Sequence, residues 1–170
     1  MGRITIRRAV RRYSRDFIKL LVGLADFEHL EPPNSKAKRR ITRDVFSKKI
    51  VRLFLAYYGK KPVGYALYFY TYSSFLARPT FYLEDIFVLE EYRRKGVGKE
   101  LFLRCVDEAG RSHCGRFEFS VLTWNKNAIN FYEKLGARRL DKWYYYRIDS
   151  DTMKKLRRTA RIQKRTSQHA

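Results

Sequence analysis

The stretch FYLEDIFVLEEYRRKGVGKELFLRCV, Phe81 to Val106, changes its periodicity half-way, and the change sets a strand, a tight turn and a helix in succession. Phe81 to Val88 is aromatic and β-branched in character and holds none of the chain's 38 Lys and Arg residues, which predicts a buried central strand. Leu101, Phe102, Cys105, Val106 and Ala109 recur at helical spacing, which predicts a helix beginning near Gly98 with one face on the sheet. Between them lies Arg93-Arg94-Lys95-Gly96-Val97-Gly98-Lys99. Glycines at 96 and 98 let the backbone turn tightly and gather N–H groups at the helix start, where the free amides and the helix dipole favour an anion such as pyrophosphate. A solvated basic loop, in which the glycines merely make the turn, is the other reading of the same residues. The dinucleotide fingerprint is a poor match, because its third small residue would fall at Leu101.

Working outward, 170 residues suit one domain able to bury roughly two thirds of its unfolded surface. A hydrophobic fraction of 45% with 13 Tyr and 12 Phe is globular and excludes disorder of the whole chain. No apolar run reaches the length of a membrane span, and the N-terminal MGRITIRRAVRRY has no apolar signal core; the expectation is a cytoplasmic protein without membrane association. Cys105 and Cys114 form neither a metal nor a disulfide framework, and no metal site is expected. The net charge of +21 is the unusual feature. It favours RNA, DNA, ribosomes or a polyphosphorylated cofactor, and gives nonspecific polyanion binding a physical basis. Neither zinc-finger spacing nor an aromatic RNA-binding signature accompanies it.

In chain order, Ile4 to Arg7 reads as a strand and Tyr13 to His29 as a helix with its apolar stripe through Phe17, Leu20, Leu21, Leu24 and Phe27. Pro32-Pro33-Asn34-Ser35 breaks the chain. Lys36, Lys38, Arg39, Arg40 and Arg43 read first as a solvated loop and second as a phosphate-binding patch, with a short helix from Thr42, its cap, to Lys49. Val51 to Tyr58 and Val63 to Tyr72 make a hairpin about Gly59 to Pro62, and the loop Ser73 to Pro79 leads to the central strand. Later come a strand, Arg116 to Leu122; a helix, Ala128 to Leu135, ended by Gly136; and a last strand, Leu140 to Ile148. Residues 151–170 carry seven Lys or Arg against one acid, with a helix expected over Thr152 to Ile162 and disorder over Gln163 to Ala170.

Several separated blocks resemble one family. Arg-x-x-Gly-x-Gly at 93–98, Tyr68-Phe69-Tyr70-Thr71-Tyr72, Tyr82-Leu83-Glu84-Asp85, and Asn125 with Asn130-Phe131-Tyr132 are similar to the spermidine/spermine and thialysine N-acetyltransferases of the GNAT superfamily. The likeness covers about residues 3 to 150, so 1–150 is expected to be the acetyltransferase domain and 151–170 a basic appendage. It implies an α/β fold with a mixed, mostly antiparallel sheet flanked by helices, acetyl-CoA as cofactor, a small-molecule amine as acceptor, and a homodimer.

Residue by residue, the resemblance sets the cofactor's pantetheine arm against the backbone of Phe87 and Val88 and its pyrophosphate on the amides of Arg93, Arg94, Lys95, Gly96, Val97, Gly98 and Lys99. It brings Asn125 to the pantetheine and Tyr132 to the sulfur. Glu84 matches the carboxylate that takes the amine's proton, and Asp141 and Trp143 match positions near the amine cleft. Duller readings stand beside these. Asn125 also suits a turn residue, Tyr132 a packing aromatic, Asp141 a loop acid and Trp143 a core indole. Glu84, on an otherwise apolar strand, resists a dull reading, because burying a carboxylate costs several kcal/mol unless it is paired or used. Asp85 is expected on the opposite face, beside a surface arginine.

The chemistry sets the needs. An ammonium is no nucleophile, so a base must deprotonate it. The developing oxyanion needs a donor, for which amides near Phe87 and Val88 are placed, and the departing thiolate needs a proton, which Tyr132 can give. Neither cysteine belongs to a recognisable site, which leaves direct transfer in a ternary complex. Polyamine-acetylating members carry an acid after the YTY block where this chain has Ser73-Ser74-Phe75. Spermidine is thereby weakened, and a shorter diamine, a thialysine-like amino acid or a protein amine stays open. From another class, a basic nucleic-acid-binding or ribosome-associated protein that keeps the fold is the alternative.

Overall fold

The computed structural model describes residues 2–166, with side chains as far as residue 160. Its elements are β1 (Ile4–Arg8), α1 (Ser14–Phe27), α2 (Ser35–Phe46), β2 (Arg52–Tyr58), β3 (Lys61–Ser73), β4 (Arg78–Val88), α3 (Val97–Arg111), β5 (Arg116–Phe119), α4 (Lys126–Lys134) and α5 (Ser150–Thr166). The chain divides into two compact units, Met1–Leu122 and Thr123–Ala170.

The first unit holds a five-stranded sheet in the order β1-β2-β3-β4-β5. β1 to β4 pair antiparallel, while β5 lies parallel to β4. Five consecutive residues of β2 are buried, because helices cover both faces of the sheet and alternation gives way to a continuous apolar run. Phe17, Leu20 and Leu24 of α1 pack with Leu53, Leu55, Tyr65, Leu67 and Phe87. On α3 the buried residues are Val97, Leu101, Phe102, Cys105 and Ala109, at the spacing expected of one covered face. Burial pushes the Cys105 thiol up to about 12, so it stays protonated and inert.

One acid is enclosed on that helix. Glu108 is only 5% exposed and meets Arg8, Arg52 at 3.8 Å and Arg104 at 3.4 Å. Burial pushes its carboxyl up, but the hydrogen bond from Arg8 and the charges of Arg8 and Arg104 outweigh it, and the net shift is downward.

Three expectations change. The basic run 36–43 is helix rather than loop: Asn34 caps α2 by accepting from the Ala37 N–H at 3.0 Å, and Thr42 lies inside it, donating to the Lys38 carbonyl at 2.8 Å. Lys and Arg are good helix formers, and the Pro-Pro-Asn-Ser stop serves equally as a start. Leu140 to Ile148 is not a strand. Among the described residues it joins no ladder, and Trp143 to Tyr146 are 78–87% exposed; β-propensity describes a fit to a half-buried pleated surface, which this segment does not have. The C-terminal helix is longer than expected, since Asp149 accepts from the Asp151 and Thr152 amides and α5 continues through Thr166. Residues 167–170, the end of the segment expected to be disordered, lie outside the described residues.

Candidate active site

β4 and the turn after it build the site. Leu67 of β3 pairs with Asp85 and Tyr68 with Leu83, so Glu84 is an extra residue, a β-bulge. β5 accompanies β4 only from Thr80 to Leu83. Among the described residues, no strand pairs with this edge of β4 beyond the bulge. The Leu89 N–H bonds the Val63 carbonyl on the β3 side, and Phe87's carbonyl points at Gly64, where a Cβ would come within 2.6 Å of it. Strand alternation therefore turns the amides of Ile86 and Val88 to the open edge. Ile86 was missed in the sequence because a resemblance carries residue identities but not which edge an amide faces.

The turn is shaped for an anion. Gly96, the residue before α3, has φ +84°, and no side chain caps the helix. Its first amides, at Val97, Gly98 and Lys99, have no carbonyl one turn earlier to bond. A Cβ on Gly98 would meet only a Val88 methyl at 3.9 Å, so nothing in the protein demands glycine there, although glycine costs a helix about 1 kcal/mol. The space beside Gly98, with free amides at the helix start, suits an anionic group. Arg94 and Lys95 line a cleft of about 560 Å³ beside it. Arg93 serves otherwise: its amide donates to Glu90, its Nε donates to the Val88 carbonyl at 3.0 Å, and its guanidinium lies 4.3 Å from the Phe27 ring centroid. It ties the turn to β4 and α1.

The carboxylates are arranged differently from the expectation. Glu84 is exposed, and Asp85 is half-buried, accepting from the Tyr65 hydroxyl at 3.2 Å instead of pairing with a surface arginine. Burial, then the charge of Glu84, push Asp85 up to about 6, with Glu28 adding to the rise and the Tyr65 hydrogen bond opposing it. Glu28, at the end of α1, is itself raised by burial. Two further carboxylates, Glu84 and Glu28, thus act on Asp85 in a protein of net charge +21. Glu28 had no signal in the sequence beyond being an acid after the apolar stripe of α1.

In the second unit, Asn125 accepts from the Ala128 N–H at 3.2 Å, which makes it the cap of α4 and leaves its amide group as a donor. Tyr132 is buried on α4 and edge-on to Phe131. Asp141 lies in a turn, paired with Arg139, and Trp143 is exposed rather than a core indole. Ser73, in the place of the missing acid, is buried and accepts from the Leu76 amide at 3.3 Å, a turn role.

The model of the acetyltransferase (GNAT) family matches residues 17–137. The chain belongs to that family. This GNAT protein is an acetyl-CoA-dependent N-acetyltransferase. It is 30% identical over 168 residues to the thialysine N-epsilon-acetyltransferase of Mus musculus, covering 92% of this chain and 98% of the mouse protein. It is 45% identical over 93 residues to an L-ornithine N5-acetyltransferase of Arabidopsis thaliana, covering 55% of this chain but 41% of the plant protein. Among solved structures, an integron cassette protein of V. cholerae shares the fold with a TM-score of 0.78 at 23% identity, over 92% of this chain and 98% of that one. Among the described residues no helix is long and apolar enough to cross a membrane, and no cluster of His, Cys, Asp and Glu is placed for a metal.

Proposed function

We propose that this GNAT enzyme acetylates the primary amine of a small cationic molecule, a short diamine or a thialysine-like amino acid, by direct transfer in a ternary complex. The observation that carries the reading is the carboxylate group Glu84, Asp85 and Glu28 where the edge of β4 opens, a local reversal of sign in a basic protein. An ammonium approaching +21 needs such a reversal.

Acetyl-CoA supplies an acetyl group activated as a thioester. The chain's residues do the rest. The amides of Val97, Gly98 and Lys99 hold the pyrophosphate, with Arg94 and Lys95 adding charge. Ile86 and Val88 offer donors along the open edge, and Asn125 offers its amide group. Glu84, exposed on the bulge, takes the proton from the ammonium directly or through water. Asp85 and Glu28 hold the cation by charge, and the family resemblance assigns Asp141 and Trp143 to amine binding as well. Tyr132 donates its phenolic proton to the departing thiolate. The enzyme acts in the cytoplasm as a homodimer, with residues 1–150 as its catalytic domain. The names of the mouse and plant relatives, which act on thialysine and ornithine, support an acceptor carrying its own carboxylate.

CoA release measured over a panel of diamines, ornithine, thialysine, spermidine and basic peptides tests this. Turnover of small amines over peptides is expected. Turnover of peptides alone would replace the reading with a protein N-acetyltransferase, and none at all would leave the fold as a binding scaffold.

A further inference from the structure

A second charged feature shares no residue with this chemistry. α1 and α2 run beside a groove of about 690 Å³ lined by Arg11, Arg15, Lys19, Lys38, Arg39 and Arg43, without an acid among its lining residues. Asp44, next along the chain, pairs with Arg43 at 3.0 Å but does not line the groove.

This spacing does not serve the helices. Arg15 and Lys19, and Arg39 and Arg43, stand four residues apart on their helices, where like charges repel. Lys36 and Lys38 fall in the first turn of α2, which holds no acid, although the positive end of the helix dipole disfavours cations. Such an array is relieved by an anion with several charges at close intervals. Hydroxyls of Ser14 and Ser47 share the lining and add neutral donors between the cations, with Arg11 donating to the Ser47 hydroxyl at 3.2 Å, while the Thr42 hydroxyl is already given to the Lys38 carbonyl.

We infer that this groove binds the phosphodiester backbone of a nucleic acid. Arginine forks and hydroxyls match phosphate oxygens. A phosphodiester chain also repeats its charge without interruption, as six cations in one groove require. No aromatic side chain lines it, so bases are not stacked and sequence is not read. An acidic protein segment is the competing occupant.

The test is fluorescence anisotropy with a labelled uridine 20-mer and a DNA strand of equal length, against salt, using the full chain. Both are expected to bind the wild type, and saturating acetyl-CoA should not displace them. In Arg15→Gln/Lys19→Gln/Arg39→Gln, losing three phosphate contacts should flatten the log K against log salt slope by about 2 and weaken binding about a hundredfold near 0.1 M salt. Acetylation of small amines and the melting temperature should not fall, since these residues belong to neither the active site nor the core. A second variant, Lys154→Gln/Lys155→Gln/Arg157→Gln/Arg158→Gln, should lose far less. The inference is overturned if the groove variant binds as the wild type does, if the α5 variant loses most of the affinity, if acetyl-CoA competes, or if a poly-glutamate chain of equal charge binds as tightly.

Discussion

Two acids in the first unit, one buried and one half-buried, are treated in opposite ways. Glu108 on α3 is met by three arginines, and its carboxyl is held below the usual range despite burial. Asp85 on β4 has one phenol and two further acids, and burial lifts it to about 6. A chain with 38 basic residues has ample cations to pair with either. Placing none beside Asp85 leaves its charge for a cation from outside, whereas Glu108 is spent on the fold. An acid that the protein itself neutralises points to structure, and an acid left under strain beside an open strand edge points to a ligand.

The largest expected effect lies at the neighbouring turn. Gly98→Glu puts a side chain and a negative charge into the proposed pyrophosphate site, and calorimetry should show no acetyl-CoA binding while the Glu108 network and the melting temperature are little changed. Wild-type affinity would remove the anion site. Next comes Tyr132→Phe. A thiol has a pKa of about 8.5, so a proton helps the thiolate leave without being indispensable. A loss of about 10²- to 10⁴-fold in kcat, with cofactor affinity kept, is expected, and wild-type kcat would return Tyr132 to a packing role.

The two acids themselves give smaller effects of opposite sign. Asp85 has a raised folded pKa, so the stability it confers is complete below about pH 4 and is lost as pH rises through about 6. Asp85→Asn keeps an acceptor for Tyr65 and removes that loss. Denaturation should show equal stability at pH 4 and a gain of up to about 3 kcal/mol at pH 8, together with weaker amine binding. Glu108→Ala should instead cost about 2 kcal/mol at pH 8, below the roughly 3–5 kcal/mol of fully buried pairs because Arg8 and Arg52 are 54% and 41% exposed. A gain on Glu108→Ala, or a cost on Asp85→Asn at pH 8, would break the contrast.

β4, the glycine turn and α3 were legible because three local signals agree: an uncharged apolar run, paired glycines and a helical apolar stripe. The hairpin of β2 and β3 was legible for the same reason. The start of α2 was obscured because Lys and Arg report solvent contact without reporting conformation. Leu140 to Ile148 misled because consecutive aromatics raise β-propensity while only pairing makes a strand. Which of Glu84 and Asp85 is the less exposed depends on the bulge, whose register is set by the partner strand and leaves no mark in β4 itself. Glu28 comes within electrostatic reach of Asp85 by the fold alone.

The central claim is that Glu84 accepts the proton of the bound ammonium, and the pH dependence of kcat/KM for the amine in Glu84→Gln tests it most directly. An alkylammonium has a pKa of about 10.4, so without the carboxylate the reaction depends on amine already deprotonated in solution, which rises about tenfold per pH unit. The ratio of variant to wild-type activity is expected to be smallest near pH 6 and to climb steeply toward pH 9, with no such recovery in Tyr132→Phe. A ratio that stays constant across that range, or wild-type activity at pH 6, would contradict the assignment.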